Sequence, residues 1–246
     1  MNYSIILPTL NENGHIIQLI KSIKKNFNNK KNSYEIIVID DNSEDGTINT
    51  IKRYKKKNKK IKLFVRYNKK KNLAESLNLG ISKSKYENLI WLDADFQHPP
   101  EYIKTIFKYS KNYDVVIFSR FLKKSIRYFD KNIKTKEANE DQSIFYNKLC
   151  KFIFYNNITD YTSGYIFIKK NKIKNIKLKG YYGEYFLSLL IYCKKNNLSI
   201  LELPFKEKFR KTGLSKTIGG SKIRYIIVCF NYITSIIKNI LIKTLF

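Results

Sequence analysis

The sequence predicts an α/β protein whose mostly parallel sheet is covered by helices on both faces. The chain of 246 residues is 43% hydrophobic and 15% aromatic, which suits one domain with a substantial core. Short apolar runs of strand length alternate along it with longer segments of helical spacing, an order typical of parallel sheets. Residues 1–220 are therefore expected to form one domain, and residues 221–246 a C-terminal apolar helix.

The predicted strands and helices follow one another in a regular order. Strands are expected at Tyr3–Leu7, Glu35–Ile39, Ile61–Val65, Asn88–Leu92, Asp114–Phe118, Gly164–Ile168 and Ser199–Leu203. Helices are expected near residues 13–28, 46–58, 72–83, 100–110, 139–156 and 183–196. Residues 121–138 are polar and rich in lysine, which predicts a mobile loop, and a second loop is expected at 205–220.

The formal net charge of +28 comes from 42 lysines and only 6 arginines. Such a bias is typical of an AT-rich genome, so one interpretation is a set of solvated surface lysines without a function. The other interpretation is attraction to anionic partners, namely nucleotide phosphates, acidic lipid headgroups or nucleic acid. Where lysine dominates so strongly, each arginine becomes a better candidate for bidentate phosphate binding.

The cysteines and the first residues indicate the compartment. Cys150, Cys193 and Cys229 are far apart and odd in number, which favours reduced core thiols over disulfides. Two histidines and no Cys-x-x-Cys pair give no zinc site to propose. Met1 leads almost directly into the first predicted strand without a signal sequence, so a cytoplasmic protein is expected.

Acidic residues follow the second and fourth predicted strands. They are Asp40-Asp41 and the pair Asp93 and Asp95, and parallel strands bring their carboxyl ends to one edge of a sheet. Two carboxylates one residue apart can turn toward one hard cation, and oxygen ligands suit Mg²⁺ or Mn²⁺. Gln97 offers an amide oxygen as a further ligand. A lone Asp-x-Asp is common, however, and by itself is more often only a polar strand end.

Six sequence motifs occur in an order that resembles a known enzyme family. They are Ile6–Glu12, Val38–Thr47, Asp93–Glu101, Ser119-Arg120, Asp160–Tyr165 and Phe209–Lys216, and they cover about residues 1–217. The sequence is thereby similar to the family 2 glycosyltransferases with the Rossmann-like GT-A fold. Within that family it most resembles the dolichyl- and polyprenyl-phosphate mannosyl- and glucosyltransferases. Each motif alone is weak, and the order and spacing of all six are the specific signal.

The resemblance implies roles for particular positions. It implies a nucleoside pocket, a site for metal and diphosphate, an acceptor-phosphate site and a group that closes over the donor phosphates. The nucleoside pocket would be lined by Pro8, Leu10, Glu12 and Asp41, and the metal and diphosphate would be held by Asp93, Asp95 and Gln97. The acceptor phosphate would be bound by Arg120 and Ser143, and the donor phosphates would be covered by Arg210 with Ser215-Lys216. Catalytic roles are implied for Asp95, Arg120 and Arg210. Both arginines also fit an ordinary surface position, but their motif settings and the rarity of arginine favour function.

Two positions depart from the family pattern. Leu10 replaces a tyrosine that is often found in the nucleoside pocket. Asn139 stands where the lipid-phosphate branch usually has a second arginine, and the nearby Lys136 and Arg127 are not in register with it. The donor site is therefore more completely matched than the acceptor site.

The implied reaction is inverting, and its acceptor decides whether a base is needed. A phosphate is already anionic near neutral pH, whereas a sugar hydroxyl needs a carboxylate to take its proton. Glu184 and Asp160 are the candidates for this base. Without a catalytic role, Glu184 would be an acidic residue at the start of a helix and Asp160 a carboxylate that caps a loop. His98 is expected to serve in packing or hydrogen bonding rather than as a base.

Three functions compete at this stage. The first is transfer of mannose or glucose from a GDP- or UDP-hexose to a polyprenyl phosphate. The second is a related transferase that extends a saccharide in cell-surface polysaccharide or glycoprotein assembly. The third, suggested only by the charge, is nucleic-acid binding. Against it, the lysine runs at 55–60 and 69–71 lack interleaved aromatic residues, so no nucleic-acid partner is expected.

The C-terminal segment predicts an amphipathic helix. Apolar residues recur every three to four positions at Ile226, Phe230, Ile233, Ile237 and Leu241. The uninterrupted apolar stretch Tyr225–Ile237 has 13 residues, fewer than the roughly 20 that cross a bilayer. The helix is therefore expected either to pack on the domain or to lie in the membrane interface. Because a lipid acceptor lies in the bilayer, peripheral attachment to the cytoplasmic leaflet is expected.

Overall fold

The computed structural model describes residues 1–28, 32–125, 134–208 and 222–244, and only the backbone of residues 134–142, 222, 224, 225 and 242–244. Seven strands lie in these ranges: β1 (Asn2–Thr9), β2 (Ser33–Asp40), β3 (Ile61–Val65), β4 (Asn88–Trp91), β5 (Val115–Ser119), β6 (Ile166–Lys169) and β7 (Ile200–Pro204). The α-helices there are α1 (Ile16–Lys25), α2 (Thr47–Lys56), α3 (Leu73–Lys83), α4 (Ile103–Tyr109), α5 (Lys134–Ile153), α6 (Tyr185–Lys195) and α7 (Lys222–Thr244).

The strands form one sheet in the order β3-β2-β1-β4-β6-β5-β7. Among the described strands, β6 alone runs antiparallel to its neighbours, so the predicted mostly parallel sheet is confirmed. The chain order reverses around β1, which is where α/β sheets usually bind ligands. Thr9 lies opposite Asp40, and Ile6 lies opposite Trp91. The residues that follow β1, β2 and β4 therefore reach the same edge.

Alternating side chains of the strands form a core on each face of the sheet. On β1, Tyr3, Ile5 and Leu7 are fully buried on one face with side chains of α1, α2 and α4. Ile6 is buried on the other face with α3, α5, α6 and part of α7. A Cβ on Gly80 of α3 would lie only 2.4 Å from Ile6 Cγ2. This close contact fixes α3, whose first turn reaches the ligand-binding edge, against β1.

The predicted strands are all present, each within two residues of its expected bounds. One loop prediction is wrong in part: α5 begins at Lys134, inside the loop expected at 121–138. The stretch is rich in Lys, Glu and Ala, which favour helix, so its polarity alone was misleading. The helix expected at 100–110 is divided into a 3₁₀ turn at Pro100–Tyr102 and α4. Residues 126–133 and 209–221 lie outside the described residues.

The C-terminal helix α7 packs on α6 with one face and exposes the other. Asn239 Nδ2 donates a hydrogen bond to Ser188 Oγ (2.9 Å), and Val228 and Ile236 are buried. The apolar row expected from the sequence lies on the opposite face, where each side chain is at least half exposed: Ile226, Phe230, Ile233, Ile237 and Leu241. In the part of the chain that the structure describes, no helix is both long and apolar enough to cross a membrane.

The prediction of reduced cysteines is confirmed. Cys150 and Cys193 are buried thiols, Cys229 is partly buried, and none of the three is in a disulfide. Burial raises the pKa of Cys150 and of Cys193 to about 12. Both thiols therefore stay protonated and act as small apolar core groups.

Candidate active site

A cleft of about 490 Å³ opens at the edge of the sheet where β1, β2 and β4 end. It collects six residues that the sequence assigns to the donor and metal sites: Pro8, Leu10, Glu12, Asp41, Asp93 and Asp95. Other walls come from the start of α3, from the loop before α6 and from α7. They include Lys70, Lys71, Asn72, Tyr181, Tyr182, Ile227 and Asn231. Residues 227 and 231 were not expected in the site, because the sequence alone separates them from the sheet.

The loop after β1 is held in place by the loop after β2. The backbone N–H of Asn11 donates to Ser43 Oγ (2.8 Å), and that of Glu12 donates to Thr47 Oγ1 (2.9 Å). The next N–H, of Asn13, donates to an Asp45 carboxylate oxygen (3.0 Å). Three successive backbone donors are thus satisfied by the neighbouring loop and the first residue of α2. The wall of the cleft that runs from Pro8 to Glu12 is consequently rigid before any ligand binds.

Asp41, which also lines the cleft, is held by two donors. Its Oδ1 accepts from Arg66 Nη1, and its Oδ2 accepts from the backbone N–H of Asn72 (2.6 Å). Asn72 also caps α3, because its Oδ1 accepts from Glu75 N (2.9 Å). Burial raises the pKa of Asp41 above its ordinary value, while Asn72 and Arg66 oppose that rise. Arg66 was missed from the sequence, although the rarity of arginine was a signal that pointed to it.

The turn after β4 places the two carboxylates at different depths. Asp95 is buried and its Oδ1 accepts from Gln97 N (2.9 Å), whereas the Asp93 side chain is 47% exposed. Phe96, directly after Asp95, has a φ of +69°, an uncommon value for an aromatic residue that makes this turn tight. Gln97 is not among the residues that line the cleft. Its backbone N–H donates to Asp95, and its backbone carbonyl accepts from Lys208 N (3.2 Å).

His98 supports the turn as a neutral hydrogen-bond acceptor. Its Nδ1 accepts from the backbone N–H of Asp93 (3.0 Å), and its ring stacks on Tyr165 with centroids 5.1 Å apart. Burial lowers the pKa of His98 to about 4, so the ring is uncharged near neutral pH. The structure thus supports a role in packing and hydrogen bonding, as the sequence suggested, and the 3.8 Å approach to the Asp93 carboxylate is not an ion pair at that pH.

The carboxylates Asp93 and Asp95 fit a divalent cation that is shared with a ligand. No cluster of three or more His, Cys, Asp or Glu side chains suited to a metal is found within the described residues. Two carboxylates at one cleft are nevertheless a usual protein share for Mg²⁺, since substrate phosphates and water complete its coordination.

Arg120 is not among the residues that line the cleft and is held in a buried ion pair. Its Nε and Nη2 donate to the two carboxylate oxygens of Asp160 at 2.8 and 2.9 Å, and Nη2 also donates to Thr162 Oγ1 (2.6 Å). Asp160 is fully buried, and Arg120 lowers its pKa against the effect of burial. Nη1 makes no hydrogen bond with a residue that the structure describes. Asp160 therefore has a structural role in this ion pair, while the Nη1 group of Arg120 can still donate a hydrogen bond to a ligand.

Ser143 lies in the same neighbourhood through its helix. The Asn147 side chain joins the backbone carbonyl of Ser143 (2.7 Å) to Thr162 Oγ1 (3.1 Å), which also contacts Arg120. Ser143 Oγ is buried and has no hydrogen-bond partner in the described structure. The two residues that the sequence assigns to the acceptor phosphate are thus brought near each other.

Glu184 has a structural role at the start of α6 rather than the role of a base. Its carboxylate accepts from the backbone N–H groups of Tyr181 (2.7 Å) and Tyr182 (2.9 Å), directly before α6. The carboxylate is buried and shapes the loop that carries these two tyrosines to the cleft. Of the remaining predicted site residues, Arg210, Ser215 and Lys216 lie outside the described residues, and Asn139 is described only by its backbone in α5.

Comparison with known protein families identifies the family of this chain. The family model described as Glycosyl transferase family 2 matches residues 4–177. This chain belongs to glycosyl transferase family 2. The resemblance inferred from the six motifs is thereby confirmed.

Two relatives of this family 2 transferase are named dolichol-phosphate mannosyltransferase. The one from Pyrococcus furiosus is 28% identical over 230 residues, which are 92% of this chain and 62% of the relative. The one from Mycosarcoma maydis is 24% identical over 232 residues, which are 91% of this chain and 76% of the relative. The chain thus spans less than two thirds of the archaeal relative.

Solved structures confirm the GT-A type of fold. Glucosyl-3-phosphoglycerate synthase from Mycobacterium tuberculosis, in complex with Mg²⁺ and UDP, matches with a TM-score of 0.71 at 14% identity, covering 96% of this chain and 78% of that one. Mannosyl-3-phosphoglycerate synthase from Rubrobacter xylanophilus also matches with a TM-score of 0.71 at 14% identity, covering 97% and 74%. At this identity the likeness concerns the fold alone.

Proposed function

We propose that this family 2 transferase moves a hexose, mannose or glucose, from a GDP- or UDP-sugar to a polyprenyl phosphate, with inversion at the anomeric carbon. The observation that carries the proposal is the cleft, where the Pro8–Glu12 wall, Asp41 and the Asp93/Asp95 turn meet α7. The relatives named dolichol-phosphate mannosyltransferase support a lipid phosphate as the acceptor.

The donor nucleoside is assigned to the rigid wall of the cleft. Leu10 and Pro8 supply apolar contacts there, and Asp41 supplies a carboxylate for the nucleoside. Because Arg66 and Asn72 already fix that carboxylate, binding does not have to reorganise it. Arg210 and Lys216 are proposed to contact the donor phosphates, as the resemblance implies.

Asp93 and Asp95 are proposed to hold Mg²⁺ or Mn²⁺ together with the donor diphosphate. The bound cation would neutralise charge on the departing nucleoside diphosphate. Structures of the mycobacterial synthase with Mg²⁺ and UDP, and with Mn²⁺ and UDP-glucose, support this assignment. In this chain His98 holds the Asp93 backbone, and the N–H of Gln97 holds the Asp95 carboxylate. We therefore assign Gln97 a supporting part in the metal site.

A phosphate acceptor suits the acidic residues near the cleft better than a sugar hydroxyl does. A hydroxyl would need a base, yet Asp160 is paired with Arg120 and Glu184 caps the loop before α6. A phosphate oxygen can attack without losing a proton to the protein. Arg120 and Ser143 are proposed to bind that phosphate, since each retains donor capacity.

Contact with the membrane surface belongs to the same proposal. The exposed row of α7 presents Ile226, Phe230 and Ile233 on the face away from α6. An amphipathic helix of this kind can lie in the headgroup region, and the lysine-rich surface would favour anionic lipids of the cytoplasmic leaflet.

A labelled-donor assay tests the proposal directly. GDP-mannose, UDP-glucose and related donors, each with a radioactive hexose, are incubated with Mg²⁺ and either polyprenyl phosphate or an oligosaccharide. We expect label in the organic phase with the lipid phosphate. Label in the oligosaccharide alone would favour the saccharide-extending alternative, and binding to nucleic acid without any transfer would contradict both.

A further inference from the structure

Helix α7 carries a tyrosine hydroxyl into the space beside the active site. The ring of Tyr232 packs edge-to-face on Tyr146 of α5, with centroids 4.7 Å apart and planes at 85°. Its hydroxyl reaches the start of α6, where a Cβ added to Gly183 would lie 2.4 Å from the oxygen. The absence of a side chain at Gly183 therefore makes room for this hydroxyl.

Four charged residues act electrostatically on the Tyr232 hydroxyl. Burial raises the pKa of Tyr232, and Glu184, Asp160 and Asp93 raise it further, whereas Arg120 lowers it. The phenol therefore stays protonated and is a hydrogen-bond donor. It lies within electrostatic reach of both Arg120 and Asp93.

Three donors of this neighbourhood make no hydrogen bond with a described residue, and one of them, Ser143 Oγ, is buried. The Tyr232 hydroxyl makes no hydrogen bond with a described residue, and Ser143 Oγ and Arg120 Nη1 make none either. A buried polar group usually has a partner, so the unpartnered Ser143 Oγ, with two further donors near it, indicates a ligand rich in acceptors. A phosphate monoester has three oxygens that can accept hydrogen bonds from these three donors.

We propose that Tyr232 binds the phosphate head of the acceptor, together with Arg120 and Ser143. This inference rests on the proposed function and adds an acceptor-binding residue from the C-terminal helix. Asn231 and Ile227 of the same helix line the cleft, so α7 forms part of the active site. The face of α7 that holds the phosphate and the exposed apolar row thus lie on one helix, which would place a lipid phosphate with its chain toward the membrane.

Replacing Tyr232 with phenylalanine tests the hydroxyl. For Tyr232→Phe we expect the KM for polyprenyl phosphate to rise roughly tenfold, since a hydrogen bond to a charged group is lost. The Kd for the nucleoside diphosphate and the melting temperature should stay at the wild-type values. Tyr109→Phe, which removes a hydroxyl from α4 outside the cleft lining, is the matched control. An unchanged acceptor KM in Tyr232→Phe would overturn the proposal.

Gly183 provides a second variant that separates folding from binding. In Gly183→Ala the new Cβ collides with the Tyr232 hydroxyl, so both the melting temperature and acceptor affinity should fall. In the double variant with Tyr232→Phe, the nearest remaining atom is Cζ at 3.6 Å, which is an ordinary contact. We expect the double variant to regain stability but to keep the acceptor KM of Tyr232→Phe. Recovery of acceptor affinity together with stability would show a structural role alone and refute the assignment.

Direct binding distinguishes a failure of this inference from a failure of the proposed function. Citronellyl phosphate, 3-phosphoglycerate and inorganic phosphate are titrated calorimetrically into the enzyme with Mg²⁺ and nucleoside diphosphate. If a phosphate monoester binds and Tyr232→Phe weakens it while no sugar is transferred, the subsite stands and the proposed reaction fails. If transfer occurs but Tyr232→Phe binds every phosphate as wild type does, the subsite is wrong. Preference for citronellyl phosphate identifies the lipid as the source of the phosphate, and preference for 3-phosphoglycerate a soluble acceptor.

Discussion

The proposed donor site and the proposed acceptor site differ in how completely their polar groups are paired. On the donor side, Asp41 is held by Arg66 and Asn72, and the backbone from Asn11 to Asn13 is bonded to the neighbouring loop. On the acceptor side, Arg120 and Ser143 keep donors without a described partner. We infer that the polar groups of the donor side are preorganised before the substrate binds, whereas those of the acceptor side gain hydrogen-bond partners only from the bound ligand. Each prediction below tests one side of this comparison.

The largest effect is expected for Asp95→Asn on the donor side. Loss of one proposed cation ligand should lower kcat roughly a hundredfold or more, because a bound metal stabilises the charge that develops in the transition state by several kcal/mol. Asp114→Asn is the control, since Asp114 precedes β5 at the other edge of the sheet. Excess chelator should abolish wild-type turnover and leave circular dichroism unchanged. Full activity in chelator would remove the metal from the proposal.

Arg66→Met tests whether the donor side is rigid before binding. Arg66 and Asp41 have side chains only 11% and 9% exposed, so the variant leaves a buried carboxylate without its partner. We expect a loss of about 3 kcal/mol in the free energy of unfolding at pH 7, together with weaker nucleotide binding. Adding Asp41→Asn should restore much of the stability but not the nucleotide affinity. Arg53→Met on an exposed position of α2 is the control, and an equal loss there would contradict the interpretation.

The same contrast explains what the sequence could and could not predict. The strands and the pair Asp93 and Asp95 are local patterns, because an apolar run followed by acidic residues is visible within about ten positions. The partners that hold the site are not local: Arg66 is 25 positions from Asp41, and Asp160 is 40 positions from Arg120.

The part played by α7 was the hardest to predict. Its spacing of apolar residues indicated an amphipathic helix, but only packing on α6 shows which face remains exposed. The contributions of Asn231 and Tyr232 to the active site depend on that packing and on the space left by Gly183. A pattern within the helix carries no information on contacts across about fifty positions of chain.

On the acceptor side, Arg120→Lys is expected to raise the acceptor KM roughly tenfold. A lysine carries a single point charge and cannot both fork Asp160 and reach a phosphate, as the guanidinium can. The melting temperature should fall as well, because the bidentate pair with a fully buried carboxylate is lost. Lys56→Ala and Arg53→Lys, both on exposed positions of α2, are the controls and should behave like wild type. A wild-type KM with every acceptor would remove Arg120 from the phosphate site.

The smallest effect is expected for Phe230→Ser on the exposed face of α7, and it tests whether the acceptor side continues into a membrane surface. Phe230 is 65% exposed, so its loss should change the free energy of unfolding by less than about 0.5 kcal/mol. If the ring enters the headgroup region, its transfer contributes about 1 kcal/mol, and co-sedimentation with anionic vesicles should weaken roughly fivefold. Tyr67→Ser is the control, because Tyr67 is 54% exposed and precedes α3 rather than lying on α7.

Turnover with a water-soluble short-chain phosphate should be unchanged, whereas turnover with vesicle-bound polyprenyl phosphate should fall in proportion to binding. Equal sedimentation of Phe230→Ser and wild type would argue that the apolar row of α7 does not meet the bilayer, and the acceptor would then have to reach Arg120 by another path.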